Sequence, residues 1–329
     1  MTLSTLHDAY VARRRIGGAI VRTGLVECPW LGERAGLEVW LKLESLQRTG
    51  SFKIRGALNA VRALSELPGG AGRVVTASAG NHGQALACAA AASNIEAVVF
   101  TPADAPKTKL DAIRRYGATL HPVGKTYDDA EQQATAYARD QQLPFISPYN
   151  HPDVIAGQAT LGLEVLEDLP STGTVVVPVG GGGLVSGVAS AVKAISPTVR
   201  VVGVEAARNP AFATALAHGC ITPIEAHPTI ADGLSGNLEP GSITFEIVQR
   251  LVDEVVTVDE EAIVAAIGAL VERSHLVVEG AGAVGVAAVA SGRLDDWPEP
   301  LVALVTGSNI DLHTLMAAAG APRPEAWRP

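Results

Sequence analysis

Leu37-Glu38-Val39-Trp40-Leu41-Lys42-Leu43-Glu44 alternates apolar and charged residues with a period near two, which predicts a strand. A helix containing Tyr10 to Ile20 precedes it. Another is predicted from Lys53 to Leu67, where Leu58, Val61 and Leu64 recur at helical spacing before Pro68-Gly69-Gly70-Ala71-Gly72 ends the run. From Arg73 to Pro148 short apolar segments alternate with helix-length ones. The predicted strands are Val74–Thr76, Ala97–Phe100, Ala118–Leu120 and Pro144–Ile146, and the helices Asn81–Ala92, Lys107–Tyr116 and Tyr127–Gln141. After Ser147-Pro148-Tyr149-Asn150-His151-Pro152 a second series begins. It holds a helix to Leu169, a strand Thr174–Val179, a glycine turn, a helix Leu184–Ile195 and a strand Val199–Val204. An irregular segment, Ala207–Gly241, then leads to helices near Ile243–Arg250 and Glu260–Arg273, the Gly/Ala-rich Gly280–Ala290 and a buried strand Leu301–Val305. The proline-bearing tail Ala321–Pro329 reads as a loosely attached end. Short strands separated by single helices predict an α/β protein with parallel pairing and right-handed crossovers. The breakers at 68–72 and the 147–152 segment divide it into a larger part, 1–72 with 151–329, and a smaller one, 73–150.

Composition narrows the partners. The chain has 329 residues, 47% hydrophobic, and a net charge of −9, enough to bury a large core and unsuited to an anionic polymer or membrane surface. Three dispersed cysteines form neither a disulfide framework nor a thiolate metal site. With no leader-like N-terminus and no apolar run of spanning length, the expected setting is the cytoplasm.

Candidate chemistry begins at Gly50-Ser51-Phe52-Lys53-Ile54-Arg55-Gly56. Apolar neighbours disfavour the charged form of Lys53, and a neutral amine is the nucleophile that Schiff-base formation with an aldehyde requires. The competing reading is a solvated lysine early in a helix. Gly180-Gly181-Gly182-Gly183, between an apolar strand and a helix, has the form of a phosphate cradle, since four glycines are an entropically costly choice for the alternative, a mere flexible turn. It matches neither Gly-x-Gly-x-x-Gly nor a P-loop, which disfavours a nicotinamide-dependent dehydrogenase. Ser78-Ala79-Gly80-Asn81-His82-Gly83 lies at a further strand-to-helix junction where free amides and the Ser78 hydroxyl can grip a carboxylate, or where Asn81 serves as a helix cap and nothing more. No His-Glu-x-x-His occurs and the histidines are scattered, so no metal site is assigned, and the lack of a Gly-x-Ser-x-Gly elbow disfavours a hydrolase.

Together with Thr229-Ile230-Ala231-Asp232-Gly233 and the closing Gly307-Ser308-Asn309, these motifs resemble the fold-type II pyridoxal phosphate enzymes. Within that family the likeness is to the serine/threonine dehydratase and serine racemase branch, from about Ile16 to about Leu312. The resemblance implies a two-domain, tryptophan synthase β-like architecture, each domain an open, mostly parallel sheet flanked by helices. It implies that Lys53 holds pyridoxal 5'-phosphate as a Schiff base and later removes the Cα proton, that Phe52 lies against the ring, and that Asn81 bonds the ring hydroxyl. Gly180, Gly181, Gly182 and Gly183 would bind the phosphate and Thr306 the ring nitrogen. The substrate carboxylate would be held by Ser78 and the segment Ala79, Gly80, Asn81 and His82.

The departures from that pattern select among activities. Ala79 stands where similar racemases have a serine acid/base, which favours elimination over racemisation. Glu205 matches a cation-binding glutamate, but its acidic partner is replaced by Asn209-Pro210-Ala211, too few oxygens for a tight divalent site. Thr306-Gly307-Ser308-Asn309 replaces the usual Ser-Gly-Gly-Asn, which raises a question about local geometry at Ser308. The expectation is loss of water from a β-hydroxy amino acid, L-threonine or L-serine, giving a 2-oxo acid and ammonia in a homodimer or homotetramer. A 3-hydroxyaspartate dehydratase and a catalytically silent metabolite-binding protein are the alternatives.

Overall fold

The computed structural model describes residues 5–292, 297–322 and 327. Among them, nine strands form two sheets: β1 (Leu25–Glu27), β2 (Val39–Leu43), β3 (Arg73–Ala77), β4 (Glu96–Thr101), β5 (Thr119–Pro122), β6 (Thr174–Pro178), β7 (Arg200–Ala206), β8 (Glu254–Val258) and β9 (Leu301–Val305). The larger sheet runs β1-β2-β9-β6-β7-β8, parallel except for the edge strand β1. The smaller sheet runs β3-β4-β5, all parallel, and is extended by a bridge from Val75 to Phe145.

Both faces of the larger sheet are covered. Val175 and Val177 pack with Val201, Val302 and Leu304 on one side. Val176 packs with Leu41, Val202, Ala303 and the Gly280–Ala290 helix on the other. A strand buried on both faces needs no polar alternation, so β6 and β9 read as continuous apolar runs in the sequence. The helix Lys53–Ser65 shares a core with the helix Asn81–Ala92 through Ile54, Ala57, Leu58, Ala60 and Val61. Its other side meets the helix Pro152–Asp168.

Several elements differ from expectation. The first helix spans Leu6–Ile16, fixed by a capping box between Thr5 and Asp8, so it begins and ends earlier than the apolar pattern implies. Pro144–Ile146 contributes a single bridge rather than a strand. The 207–241 segment contains a helix, Ala211–His218. Residues 323–326 and 328–329 of the tail lie outside the described residues, but Trp327 is buried against the larger core with Arg34 5.0 Å over its ring. That end is therefore anchored at Trp327, because an indole gains too much from burial to stay in water.

Candidate active site

The site forms where the C-terminal ends of strands from both sheets face the N-termini of three helices. β3 ends at Ala77 and leads into the helix Asn81–Ala92, and β6 ends at Pro178 and leads into the helix Gly183–Ile195. β9 ends at Val305, one residue before Thr306. Open α/β sheets bind ligands at such strand ends.

Lys53 opens its helix, and backbone contacts hold the preceding residues to the end of β9. Phe52 N donates to Thr306 O at 3.1 Å, and Ser51 bridges Gly307. The Lys53 ammonium donates to Pro148 O at 3.1 Å and lies 5.3 Å from the Phe52 ring centroid. Desolvation lowers its pKa to about 8, against a smaller opposing pull from Glu279. About a tenth of this lysine is then neutral at pH 7, against fewer than about one in a thousand for an exposed lysine. Behind it, the fully buried Arg55 guanidinium meets Glu44 at 2.8 Å and Glu164 at 2.7 Å, while Lys42 meets Glu164 at 2.9 Å. These pairs tie the lysine-bearing helix to β2 and to the helix Pro152–Asp168.

The crossing segment 147–150 joins this lysine to the glycine turn. Pro148 receives the Lys53 ammonium, and the neighbouring Tyr149 packs against the backbone of Gly181 and Gly183. A Cβ on Gly181 would lie 2.2 Å from Tyr149 Cδ1, and one on Gly182 would lie 2.5 Å from Phe212 Cζ. Gly182 also has φ +85° and supplies no side-chain cap to the helix it precedes. The first-turn amides of that helix have no acceptor within it. The result is an uncapped cluster of N–H donors at a dipole's positive end, which fits the phosphate of a cofactor.

Asn81 starts the helix facing this turn. Its Oδ1 accepts from Asn309 Nδ2 at 2.6 Å and its Nδ2 donates to Glu279 Oε1 at 2.6 Å. Ser78 and Ala79 lie half-buried just ahead, Ser78 Oγ accepting from Gly80 N at 3.2 Å. The His82 side chain turns inward to Ile146 O at 3.3 Å, and burial lowers its pKa to about 3. What His82 can offer a ligand is its amide. Thr306 is buried, its hydroxyl 3.5 Å from Ala281 O. Ser308 settles the question raised by the altered closing motif: its amide donates to Gly50 O and its hydroxyl to Ser45 O, both at 2.8 Å, so the extra side chain finds a partner outside the site.

Glu205 is explained by the helix Ala211–His218. Both its oxygens accept amides, from Phe212 at 2.7 Å and Ala213 at 2.9 Å, while burial raises its pKa to about 7. Among the described residues no group of three or more potential metal ligands comes together.

Sequence reasoning missed Pro148, Tyr149 and Glu279. Glu279 is the most consequential: it is buried, and desolvation, aided by the Asp232 carboxylate, pushes its pKa up to about 7. The signal was a lone carboxylate in Leu276-Val277-Val278-Glu279-Gly280-Ala281, an apolar stretch where an ionisable group needs a reason.

Comparison with known proteins decides the family, because the family model described as "Pyridoxal-phosphate dependent enzyme" matches residues 16–307. The chain belongs to this family. It is 44% identical over 311 residues to the L-threonine ammonia-lyase of Thermotoga maritima, covering 94% of this chain and 77% of that one. It is 40% identical over 317 residues to the catabolic L-threonine dehydratase of Escherichia coli K12, covering 96% of each. Among solved structures, the T.th. threonine deaminase superposes with a TM-score of 0.87 at 40% identity, covering 94% of this chain and 99% of that one. Maize serine racemase superposes at 0.89 with 34% identity, covering 96% and 97%. The fold is thus the two-sheet fold-type II architecture, and the cofactor is pyridoxal phosphate. No helix among the described residues is long and apolar enough to cross a membrane.

Proposed function

We propose that this enzyme eliminates water from L-threonine, and from L-serine, giving 2-oxobutanoate or pyruvate and ammonia. The observation that carries the reading is Lys53: a desolvated amine, held by Pro148 O, beside an uncapped glycine turn suited to one phosphate. The names of the relatives at 40% and 44% identity support the substrate.

Bound pyridoxal phosphate supplies an aldehyde for the substrate amine and a conjugated ring that accepts the electron pair left at Cα. The chain supplies everything else. The amides at Gly180–Gly183 would hold the phosphate, the Thr306 hydroxyl would serve the ring nitrogen and Phe52 would border the ring. Asn81 directs an N–H at the ring hydroxyl. Ser78 and the amides from Ala79 to His82 would hold the substrate carboxylate, which would turn the Cα–H bond towards Lys53. The neutral Lys53 amine takes that proton. Hydroxide leaves Cβ with a proton as water, and one water returns when the released enamine hydrolyses, so the net loss is ammonia. Ala79, at the position where similar racemases have a serine acid/base, has no exchangeable proton to give, which supports elimination over racemisation.

We also infer that residues 1–72 with 151–329 act as one domain and 73–150 as a smaller one closing on the substrate. The working form is a cytoplasmic homodimer or homotetramer. The deciding experiment supplies L-threonine, L-serine and 3-hydroxyaspartate to wild type and Lys53→Ala, following the 2-oxo acid and the D-amino acid. Equal turnover in both proteins would sink the mechanism. Preference for 3-hydroxyaspartate would move the substrate, and net D-serine formation would refute the argument from Ala79.

A further inference from the structure

Glu279 stands at the N-cap position of the helix Gly280–Ala290, yet its side chain makes no capping bond to that helix. The carboxylate turns instead to Asn81 Nδ2 at 2.6 Å. It does so over Gly307, where a Cβ would come within 2.0 Å of Oε1, so the closing motif is hollowed to admit it. The Glu279 amide also donates to Gly307 O at 3.0 Å, fixing the residue against the same turn.

The amide of Asn81 is thereby polarised from both ends. Asn309 Nδ2 donates to Thr49 O at 2.8 Å and to Asn81 Oδ1 at 2.6 Å, so both its hydrogens are committed. A flipped Asn81 would set its NH2 against that NH2 and its carbonyl against the Glu279 carboxylate. The first contact would be repulsive, and so would the second with Glu279 ionised. In the observed orientation one Asn81 N–H goes to Glu279 and the second remains for a ligand.

We propose that Glu279 is a positioning residue for the cofactor: by accepting from Asn81 it fixes the amide orientation in which the remaining N–H meets the cofactor's ring hydroxyl. The proposal rests on the assignment of Asn81 to that hydroxyl. It accounts for a buried carboxylate that caps nothing, accepts from Asn81 and from the Asn309 backbone amide and, among the described residues, forms no short-range ion pair.

The test is a double-mutant cycle on the holoenzyme with Asn81→Ala, Glu279→Ala, the pair together, and Glu279→Gln. The readouts are the rate of cofactor loss on dilution, followed by visible absorbance, and the absorbance maximum. Circular dichroism confirms that each variant is folded. One misplaced hydrogen bond is expected to raise the loss rate about tenfold in each single alanine variant. The double variant should be no worse than Asn81→Ala, because Glu279 acts through that residue. Glu279→Gln, which keeps an acceptor, should stay within about threefold of wild type. Additive losses in the double variant, wild-type retention in Glu279→Ala, or equal losses in the Gln and Ala variants would overturn the proposal while leaving the Asn81 assignment in place. Full retention in Asn81→Ala would overturn the assignment itself, and the proposal with it.

Discussion

Replacing Gly181 by alanine adds one methyl group and tests whether the glycine turn is shaped by its neighbours or merely flexible. The new Cβ would lie 2.2 Å from Tyr149 Cδ1 and 2.3 Å from Cγ. Carbon atoms rest at about 3.5–4.0 Å, so turn and ring must separate by about 1.5 Å. The ring has little room to yield: Tyr149 is buried, and its hydroxyl accepts from Glu239 N at 2.9 Å. Its neighbour Asn150 is held by Glu239 Oε2 at 2.7 Å. The turn moves instead, or the 147–150 segment moves and takes Pro148 O away from Lys53. Overpacking of this kind costs about 1–3 kcal/mol of stability, and a displacement of about 1 Å near reacting groups costs about 100-fold in rate. Urea unfolding, visible absorbance during cofactor titration and 2-oxobutanoate release from L-threonine measure the three effects. Gly72→Ala is the control, since a Cβ there meets nothing within 4 Å. It should change stability by no more than about 0.5 kcal/mol. A Gly181→Ala enzyme with wild-type cofactor affinity and turnover would refute the reasoning.

Other outcomes follow from the same geometry. Cofactor uptake by the apoprotein should rise about fivefold from pH 7 to 8 and level off by about pH 9, because the Lys53 pKa of about 8 sets the neutral amine fraction; stopped-flow absorbance would show it, and a rise continuing to about pH 10 would contradict it. Arg55→Met strips the cation from buried Glu44 and should cost about 3–5 kcal/mol in urea unfolding. His82 has a folded pKa of about 3, below the ordinary 6.5, so the stability it contributes is present above pH 6.5 and is lost as pH falls towards 3. His82→Gln should flatten the decline in stability between about pH 6 and 4 relative to wild type. Lys109→Ala removes an ion pair with Asp232 at partly exposed positions and should cost under about 1 kcal/mol of stability.

Much of this molecule was legible because local rules sufficed. β6 and β9 announce themselves as apolar runs, and glycines mark the turns that follow β6 and precede Asn81. Lys53 stood out because a lysine flanked by Phe52 and Ile54 departs from ordinary surface usage, but a solvated lysine early in a helix stayed the competing reading until the glycine turn and the Ser78–His82 segment were set beside it. What stayed hidden depends on residues far apart in sequence. The helix Ala211–His218 follows Asn209-Pro210, which reads as a turn, and takes its acceptor from Glu205 in β7. β8 is an edge strand, half-exposed over most of its length, and lacks the uniform apolar run of its buried neighbours. The partnership of Asn81 with Glu279 spans 198 residues, so no window on the sequence contains both. Trp327 looked like part of a free end because its contact lies with Arg34 and the larger core.

The clamp on Arg55 also limits how Lys53 can travel. Its guanidinium is gripped by carboxylates from two separate elements, so turning or sliding the helix that begins at Lys53 would separate buried charges. If Lys53 is the base proposed for this enzyme, a proton taken from substrate would ride a four-carbon tether on a fixed pivot. The reach of that tether, rather than any motion of the backbone, sets which atoms it can serve.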